Sequence, residues 1–183
     1  MRTTRLIPAL ILLSALAILL TGCASTAGSA KPLTAVAAPG QLARYTKVAL
    51  TTSAGGDASR MTAADRERIA GRVVRKVMDQ APGRFADTTT TTTDAGTLHV
   101  SIAFTRYDEG NAFARFMLAG LGQIHIDAAV TLEDGALPAV LGTYDVTKTF
   151  AWGGLYGVAT GIKDVEDGFA EAVAKVILGQ PTQ

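Results

Sequence analysis

Two stretches of this sequence alternate strictly between apolar and polar residues, and they constrain the fold more than any other feature. They are TLHVSIAFTRY at 97–107 and QIHIDAAVTLED at 123–134. Side chains of a β-strand point alternately to the two faces of a sheet, so each stretch predicts a strand with one buried face. The residues predicted to be buried are Leu98, Val100, Ile102, Phe104, Ile124, Ile126, Ala128, Val130 and Leu132.

Two other segments have the periodicity of amphipathic helices. The first, at 61–80, begins with Thr62 and Asp65 in the spacing of a capping box. The second is predicted to run from Val165 to Leu178, with Asp164 as its N-cap. Their apolar stripes consist of Ile69, Val73, Val77, Phe169, Val173, Val176 and Ile177.

Strands predicted at 46–52 and 139–152 complete the element order β-α-β-β-β-α. Strands grouped between two helices favour an α+β fold, here a two-layer sandwich. We expect a largely antiparallel sheet with both helices on one face, forming a single domain over 44–179. The six threonines at 88–93 fit an edge strand or a low-complexity loop equally well.

The N-terminus has the pattern of a secretory signal. Arg2 and Arg5 precede the uncharged and mostly apolar run 6–22, after which comes Cys23, the one cysteine of the chain. A transmembrane anchor is the alternative, but it would need about twenty apolar residues, and Pro8 interrupts this run. The pattern therefore predicts a cleaved signal over 1–22.

The residues around the cysteine identify the kind of signal. Leu20, Thr21, Gly22 and Cys23 resemble the lipobox of bacterial lipoproteins. That resemblance implies a lipoprotein signal peptide, diacylglycerol on the Cys23 thiol and an acyl chain on its new amine, with no other cofactor. A buried free cysteine is the alternative. Ala24, rather than aspartate, follows the cysteine, which by the same resemblance implies the outer membrane. We expect the domain to face the periplasm.

The segment 23–43 is rich in small residues and is predicted to be a lipidated, flexible tether to the membrane. Removal of 1–22 with its two arginines leaves 15 basic against 16 acidic residues, a formal charge of −1. A nearly neutral chain offers no electrostatic surface for nucleic acid, so we expect no nucleic-acid partner.

Two glycine-rich segments, 112–122 and 150–162, mix large apolar residues with glycines at the ends of predicted strands. They are therefore expected to lie near each other. If exposed, they form a contact with a partner or with the membrane; if buried, their aromatic rings fill the core. The candidate contact residues are Phe113, Phe116, Met117, Leu118, Trp152 and Tyr156.

A second candidate site lies on the polar face of the predicted strands. His125 and Asp127 are two residues apart, and His99 has the same facing on another strand. These three side chains form a possible ligand face. One His-x-Asp pair is too few ligands for a metal site, so none is predicted. We find no nucleophile elbow, zinc-protease motif or phosphate loop, and we expect no enzyme.

The sequence RFMLAGLG at 115–122, the alternating strand after it, LEDG at 132–135, the paired glycines at 153–154 and an alanine-rich last helix resemble a known family. They are similar to the bacterial lipoproteins of domain of unknown function 4410, over roughly 40–180. The resemblance implies no reaction and a role in envelope assemblies. We therefore expect a non-catalytic interaction component whose partners are the membrane and either other envelope proteins or itself. The alternative is a periplasmic module that binds a small molecule or cell-wall fragment.

Overall fold

The computed structural model describes residues 27–34, 40–86, 88, 94–118, 121–137 and 139–180. The signal peptide, the lipobox residues Leu20, Thr21 and Gly22, and Cys23 lie outside these residues, as does most of the threonine run. The strands are β1 (Ser29–Thr34), β2 (Lys47–Asp57), β3 (Thr97–Asp108), β4 (Ile124–Asp134) and β5 (Val140–Phe150). The α-helices are α1 (Ala63–Gln80), α2 (Ala112–Met117), α3 (Gly154–Ala159) and α4 (Ile162–Leu178); a short 3-10 helix spans Gln41–Arg44.

The five strands form one open sheet in the order β1-β5-β4-β3-β2. Neighbouring strands are antiparallel, except that β2 and β3 are parallel. A parallel pair needs a long crossover connection, and α1 provides it. The long helices α1 and α4 contact each other; α1 also contacts β2, and α4 contacts β1, β4 and β5. The predicted α+β class is confirmed, with a mostly antiparallel sheet and one layer of long helices.

The alternating residues of β3 and β4 form the centre of the core. All nine that the pattern marked for burial are at most 1% exposed. They face α4, where Phe169 packs against Phe104 with ring centroids 5.5 Å apart. The helix stripes are buried as expected, so the periodicities of both element types are confirmed.

The last helix begins one turn earlier than predicted. Gly161, rather than Asp164, is the N-cap, and the Asp164 carboxylate accepts the Gly161 N–H at 2.8 Å. A carboxylate at the third helical position accepts the N–H of the N-cap residue, whereas an N-cap carboxylate accepts an N–H of the first turn. An acidic residue near the start of the helix therefore fits both assignments. Gly179 ends the helix in the left-handed conformation, with φ +67°.

The first helix has the predicted capping box. The Thr62 hydroxyl accepts the Asp65 N–H at 3.1 Å, and the Asp65 carboxylate accepts the Thr62 N–H at 3.0 Å. The same carboxylate also accepts the Thr62 hydroxyl and the Arg68 guanidinium, each at 2.6 Å. These hydrogen bonds, that of Thr62 above all, lower the pKa of Asp65 to about 2.

The variant Asp65→Asn should therefore lose stability in a pH-dependent way. Because the folded-state pKa is depressed, the carboxylate stabilises the fold above about pH 4, and this stabilisation disappears as the pH falls through about 2. We expect the variant to be less stable by about 1 kcal/mol at neutral pH. Urea unfolding at a series of pH values measures the gap, that is, the difference in the free energy of unfolding between the unchanged protein and the variant. If the gap stays constant down to the lowest pH, the carboxylate does not act as described.

The predicted flexible tether over 23–43 is wrong for residues 29–34, because they form the edge strand β1 beside β5. The residue before β1 fixes its position. Gly28 donates its N–H to the Gly168 carbonyl of α4 at 2.8 Å. A Cβ on Gly28 would lie 2.5 Å from the Thr147 carbonyl oxygen and 3.3 Å from the Lys148 Cβ. Gly28 is thus held between the sheet and α4, and β1 is attached to the domain by the residue that precedes it.

The variant Gly28→Ala should separate this end of β1 from β5. The added methyl group overlaps the Thr147 carbonyl, which cannot move without disturbing the sheet. We expect a loss of about 1–3 kcal/mol in the free energy of unfolding, the usual cost of overpacking. Gly40→Ala is the matched control, since no atom lies within 4 Å of its added Cβ. Equal denaturation midpoints for the two variants would contradict this account of β1.

Candidate interaction surface

Two short helices cover one end of the sheet. Helix α2 connects β3 to β4, whereas α3 follows β5, so both lie where β3 and β5 end and β4 begins. The two helices contact each other, as the sequence predicted for the segments 112–122 and 150–162. The prediction treated these segments as strand ends, and the structure shows that each contains a helix of six residues.

Local hydrogen bonds explain where α2 begins. Gly110 adopts φ +62° and donates its N–H to the Asp108 carboxylate at 2.8 Å, which turns the chain sharply after β3. Asn111 then caps the helix, its side-chain oxygen accepting the Ala114 N–H at 2.9 Å. A turn glycine followed by asparagine is a common way to start a helix, because the amide oxygen satisfies a free N–H of the first turn.

Arg115 joins α2 to α3. Its side chain is buried, 3% exposed, and its guanidinium donates to four backbone carbonyl oxygens. Two belong to the loops around α2, Glu109 at 2.9 Å and Gly122 at 2.7 Å. The other two belong to α3 and its C-cap, Gly157 at 2.9 Å and Thr160 at 3.2 Å. A cation at the C-terminus of α3 is also favoured by the helix dipole.

The outer sides of these helices expose large apolar side chains. Phe113 is 72% exposed and Leu155 is 78% exposed. We call the whole set the terminal apolar surface, and its members are Phe113, Phe116, Met117, Leu118, Leu121, Trp152, Leu155, Tyr156 and Val158. Exposed apolar residues gathered in one place usually mark an interaction site.

All six contact residues predicted from the sequence lie on this surface and are exposed, so the alternative in which they fill the core does not hold for them. The structure adds Leu121, Leu155 and Val158. Within the second segment, Phe150 and Ile162 are buried, and Phe150 contacts Tyr156 edge-on, with ring centroids 5.6 Å apart. Tyr156 contacts Trp152 in the same manner at 6.4 Å. This chain of rings connects the exposed surface to the core.

The start of β1 lies at the same end of the sheet. Ser29 pairs with Thr147, three residues before the end of β5 at Phe150. Because β1 and β5 are antiparallel, the chain preceding Ser29 runs in the direction in which β5 approaches α3. The N-terminal segment therefore enters the domain beside the terminal apolar surface.

The predicted ligand face is not formed, because His99 lies far from the other two residues. His125 pairs in register with Asp108 on β3, nine residues from His99. At about 3.3 Å per residue, the two histidines are separated by about 30 Å. His125 and Asp127 do share one face, where the Nδ1 atom of His125 lies 3.1 Å from the Thr149 hydroxyl.

The environment of His125 and Asp127 favours their neutral forms. Burial, with the positive charge of Arg106, lowers the pKa of His125. Burial also raises the pKa of Asp127. Within the described part of the chain, no three histidine, cysteine, aspartate or glutamate side chains are grouped so that they could hold a metal ion.

The most buried acidic group belongs to a network inside the fold. Glu166 is fully buried on α4 and accepts the Arg68 guanidinium from α1 at 2.6 and 2.9 Å. It also accepts the Tyr107 hydroxyl from β3 at 2.8 Å. Burial, followed by this hydrogen bond, raises the pKa of Tyr107. Glu166 therefore connects both long helices to the sheet.

The architecture defines the class of the protein: an α+β domain with an open five-stranded sheet and one layer of long helices. The sequence profile of a domain of unknown function, number 4410, matches residues 35–154, well over half of the chain. The chain therefore belongs to this family, and the domain type that the sequence resembled is confirmed. A search of curated proteins finds no match.

Solved structures share the fold. The PelC dodecamer from Paraburkholderia phytofirmans has 19% sequence identity and a TM-score of 0.52, over 85% of this chain and 99% of the PelC chain. A substituted PelC dodecamer from the same organism, in another crystal form, gives 19% identity and a TM-score of 0.51, over 84% and 99%. Across the residues that the structure describes, no helix has both the length and the apolar character needed to span a bilayer.

Proposed function

We propose that this protein is a lipid-anchored component of the bacterial outer membrane that faces the periplasm and acts through binding and assembly, without catalysis. Cys23 carries the lipid after removal of residues 1–22. The observation that carries the proposal is the terminal apolar surface. Nine large apolar side chains are exposed at the end of the sheet where the N-terminal segment enters the domain.

The rigidity of this surface supports an interaction role. Arg115 fixes α2 against α3 through four carbonyl oxygens, so the exposed side chains are held in place before any partner arrives. A preorganised surface loses little conformational entropy on binding, which favours affinity. The described strands do not support a ligand-binding module on the predicted face, since His99 lies about 30 Å from His125 along the sheet.

Association of several copies is the form of assembly that we propose. PelC, which has the same fold, is a dodecamer. The sheet of the present protein leaves β2 at one edge, and its segment 48–56 contains neither a charged residue nor a proline. Edge strands of this kind lack the usual features that prevent pairing with another chain. The edge strand β1, by contrast, carries Lys31 and Pro32.

Crosslinking in intact cells tests the proposed function. The full-length protein is crosslinked, captured by affinity and analysed by mass spectrometry, alongside a Cys23→Ser variant. We expect metabolic labelling with a fatty acid in the unchanged protein only, together with a ladder of its own multimers or a discrete envelope partner that the variant loses. A protein that is not labelled and crosslinks to nothing above background would refute the proposal.

A further inference from the structure

We propose that the terminal apolar surface inserts into the headgroup and upper acyl region of the bilayer that holds the lipid of Cys23. This inference rests on the proposed function and names the partner of its surface. The domain would then be attached to the membrane at two points, the covalent lipid and the ends of α2 and α3.

The length of chain before β1 brings the surface to the membrane. Gly28 is fixed between β5 and α4 by its hydrogen bond to the Gly168 carbonyl. Only five peptide units connect Cys23 to Gly28, and at about 3.6 Å for each extended residue they span at most about 18 Å. The lipid is therefore kept within a short distance of the entry point of β1, which lies at the same end of the sheet as α3.

The chemistry of the surface suits a bilayer interface. Its side chains include tryptophan, tyrosine and phenylalanine, and the first two are enriched where protein meets lipid headgroups. The segment 150–162 contains no charged residue. The segment 111–118 contains one, Arg115, which is buried and donates to backbone carbonyls. Insertion into the bilayer thus requires no exposed charge on these helices to leave water. A surface that binds another protein, by contrast, usually has a rim of polar and charged groups.

Trp152 is the one tryptophan of the chain and lies within the surface, so its fluorescence reports directly on insertion. The chain from residue 23 carrying Cys23→Ser contains every described residue and no acyl group. It is titrated with vesicles of phosphatidylethanolamine and phosphatidylglycerol, with and without bromine on the acyl chains. We expect a blue shift on adding lipid, and quenching by the brominated chains, because bromine quenches only a ring that lies within the bilayer.

Two double variants in the same background locate the contact. Phe113→Ser with Leu155→Ser removes the two most exposed side chains of the surface and should weaken vesicle binding by about tenfold or more. Leu137→Ser with Val140→Ser is the matched control. Leu137 lies in the β4–β5 connection and Val140 begins β5, at the opposite end of the sheet. They are 65% and 57% exposed, and their substitution should leave binding unchanged. Circular dichroism checks that both variants are folded, which exposed positions permit.

Two results would overturn the inference. In the first, the emission of Trp152 shifts with protein concentration in the absence of lipid as the protein forms oligomers, and brominated lipid does not quench it. A second copy of the protein then covers the surface. If neither lipid nor concentration changes the fluorescence, the surface does not bind the bilayer. Neither result changes the fatty-acid labelling of Cys23 or the crosslinking of the full-length protein in cells. Failure of this inference is therefore distinguishable from failure of the proposed function.

Discussion

The variant Arg115→Met is expected to lower the free energy of unfolding by about 3 kcal/mol and to separate α2 from α3. Methionine keeps the apolar stem but leaves four carbonyl oxygens without their donor, namely those of Glu109, Gly122, Gly157 and Thr160. Hydrogen bonds from a charged group contribute about 1.5–3 kcal/mol each, and they do not add because water reaches the opened site. Urea unfolding followed by circular dichroism measures the change.

The spectroscopy of Trp152 distinguishes a local from a global effect. Because Trp152 lies on the surface that Arg115 holds together, its emission should change in Arg115→Met before the denaturant transition of the core. Arg106→Met is the control, since the Arg106 side chain is 38% exposed and pairs with Asp108 at 3.4 Å; we expect a change within about 0.5 kcal/mol. Equal effects of the two substitutions would show that the four carbonyl contacts do not stabilise the fold.

The variant Glu166→Gln should destabilise the protein to a similar extent, by about 3 kcal/mol. The amide has the shape of the carboxylate but no charge, and its NH₂ group meets the donors of Arg68 where an oxygen stood. The Arg68 guanidinium, with its side chain 28% exposed, loses its main partner, and the Tyr107 hydroxyl loses a charged acceptor. Breaking one partner of a buried pair costs more than the pair itself contributes, because the remaining charge stays desolvated.

Asp167→Asn is the matched control on the same helix. The neighbouring carboxylate pairs with Lys76 at 2.7 Å and with Arg72 at 3.6 Å, but its side chain is 33% exposed. Solvent screens such a pair, so we expect a loss of at most about 1 kcal/mol. If thermal and urea unfolding give the same small change for Glu166→Gln and Asp167→Asn, burial does not set the strength of the α1–α4 contact.

Strands and helices that bury one face could be predicted from the sequence. A strand whose structure depends on pairing with a distant strand could not. The alternation in β3 and β4 and the stripes of α1 and α4 are visible because burial imposes a regular period. Strand β1 has no such period: one of its six residues, Ala30, is buried, and Lys31 and Pro32 interrupt it. It is a strand because its backbone pairs with β5, a contact that no local pattern records.

The same limit explains what could be predicted of the site. The mixture of aromatic residues and glycines marked 112–122 and 150–162 but left both an exposed surface and a core open. Arg115 gave no indication of burial, since its four acceptors are backbone carbonyls spread over residues 109–160. The alternating pattern placed His99 and His125 on one face correctly, but it contains no information about their positions along the strands. The register of β3 against β4 sets that distance.

The pairing of the first strand with the last has a consequence for the order of folding. Ser29 and Thr147 are 118 residues apart in the chain and neighbours in the sheet. Contacts of such high sequence separation form slowly, because the ends of a long loop must first meet. In the export that we propose, β1 would cross the membrane before its partner, so it would have no strand to pair with until β5 follows. On this proposal, lipid attachment at Cys23 would precede the closure of the sheet.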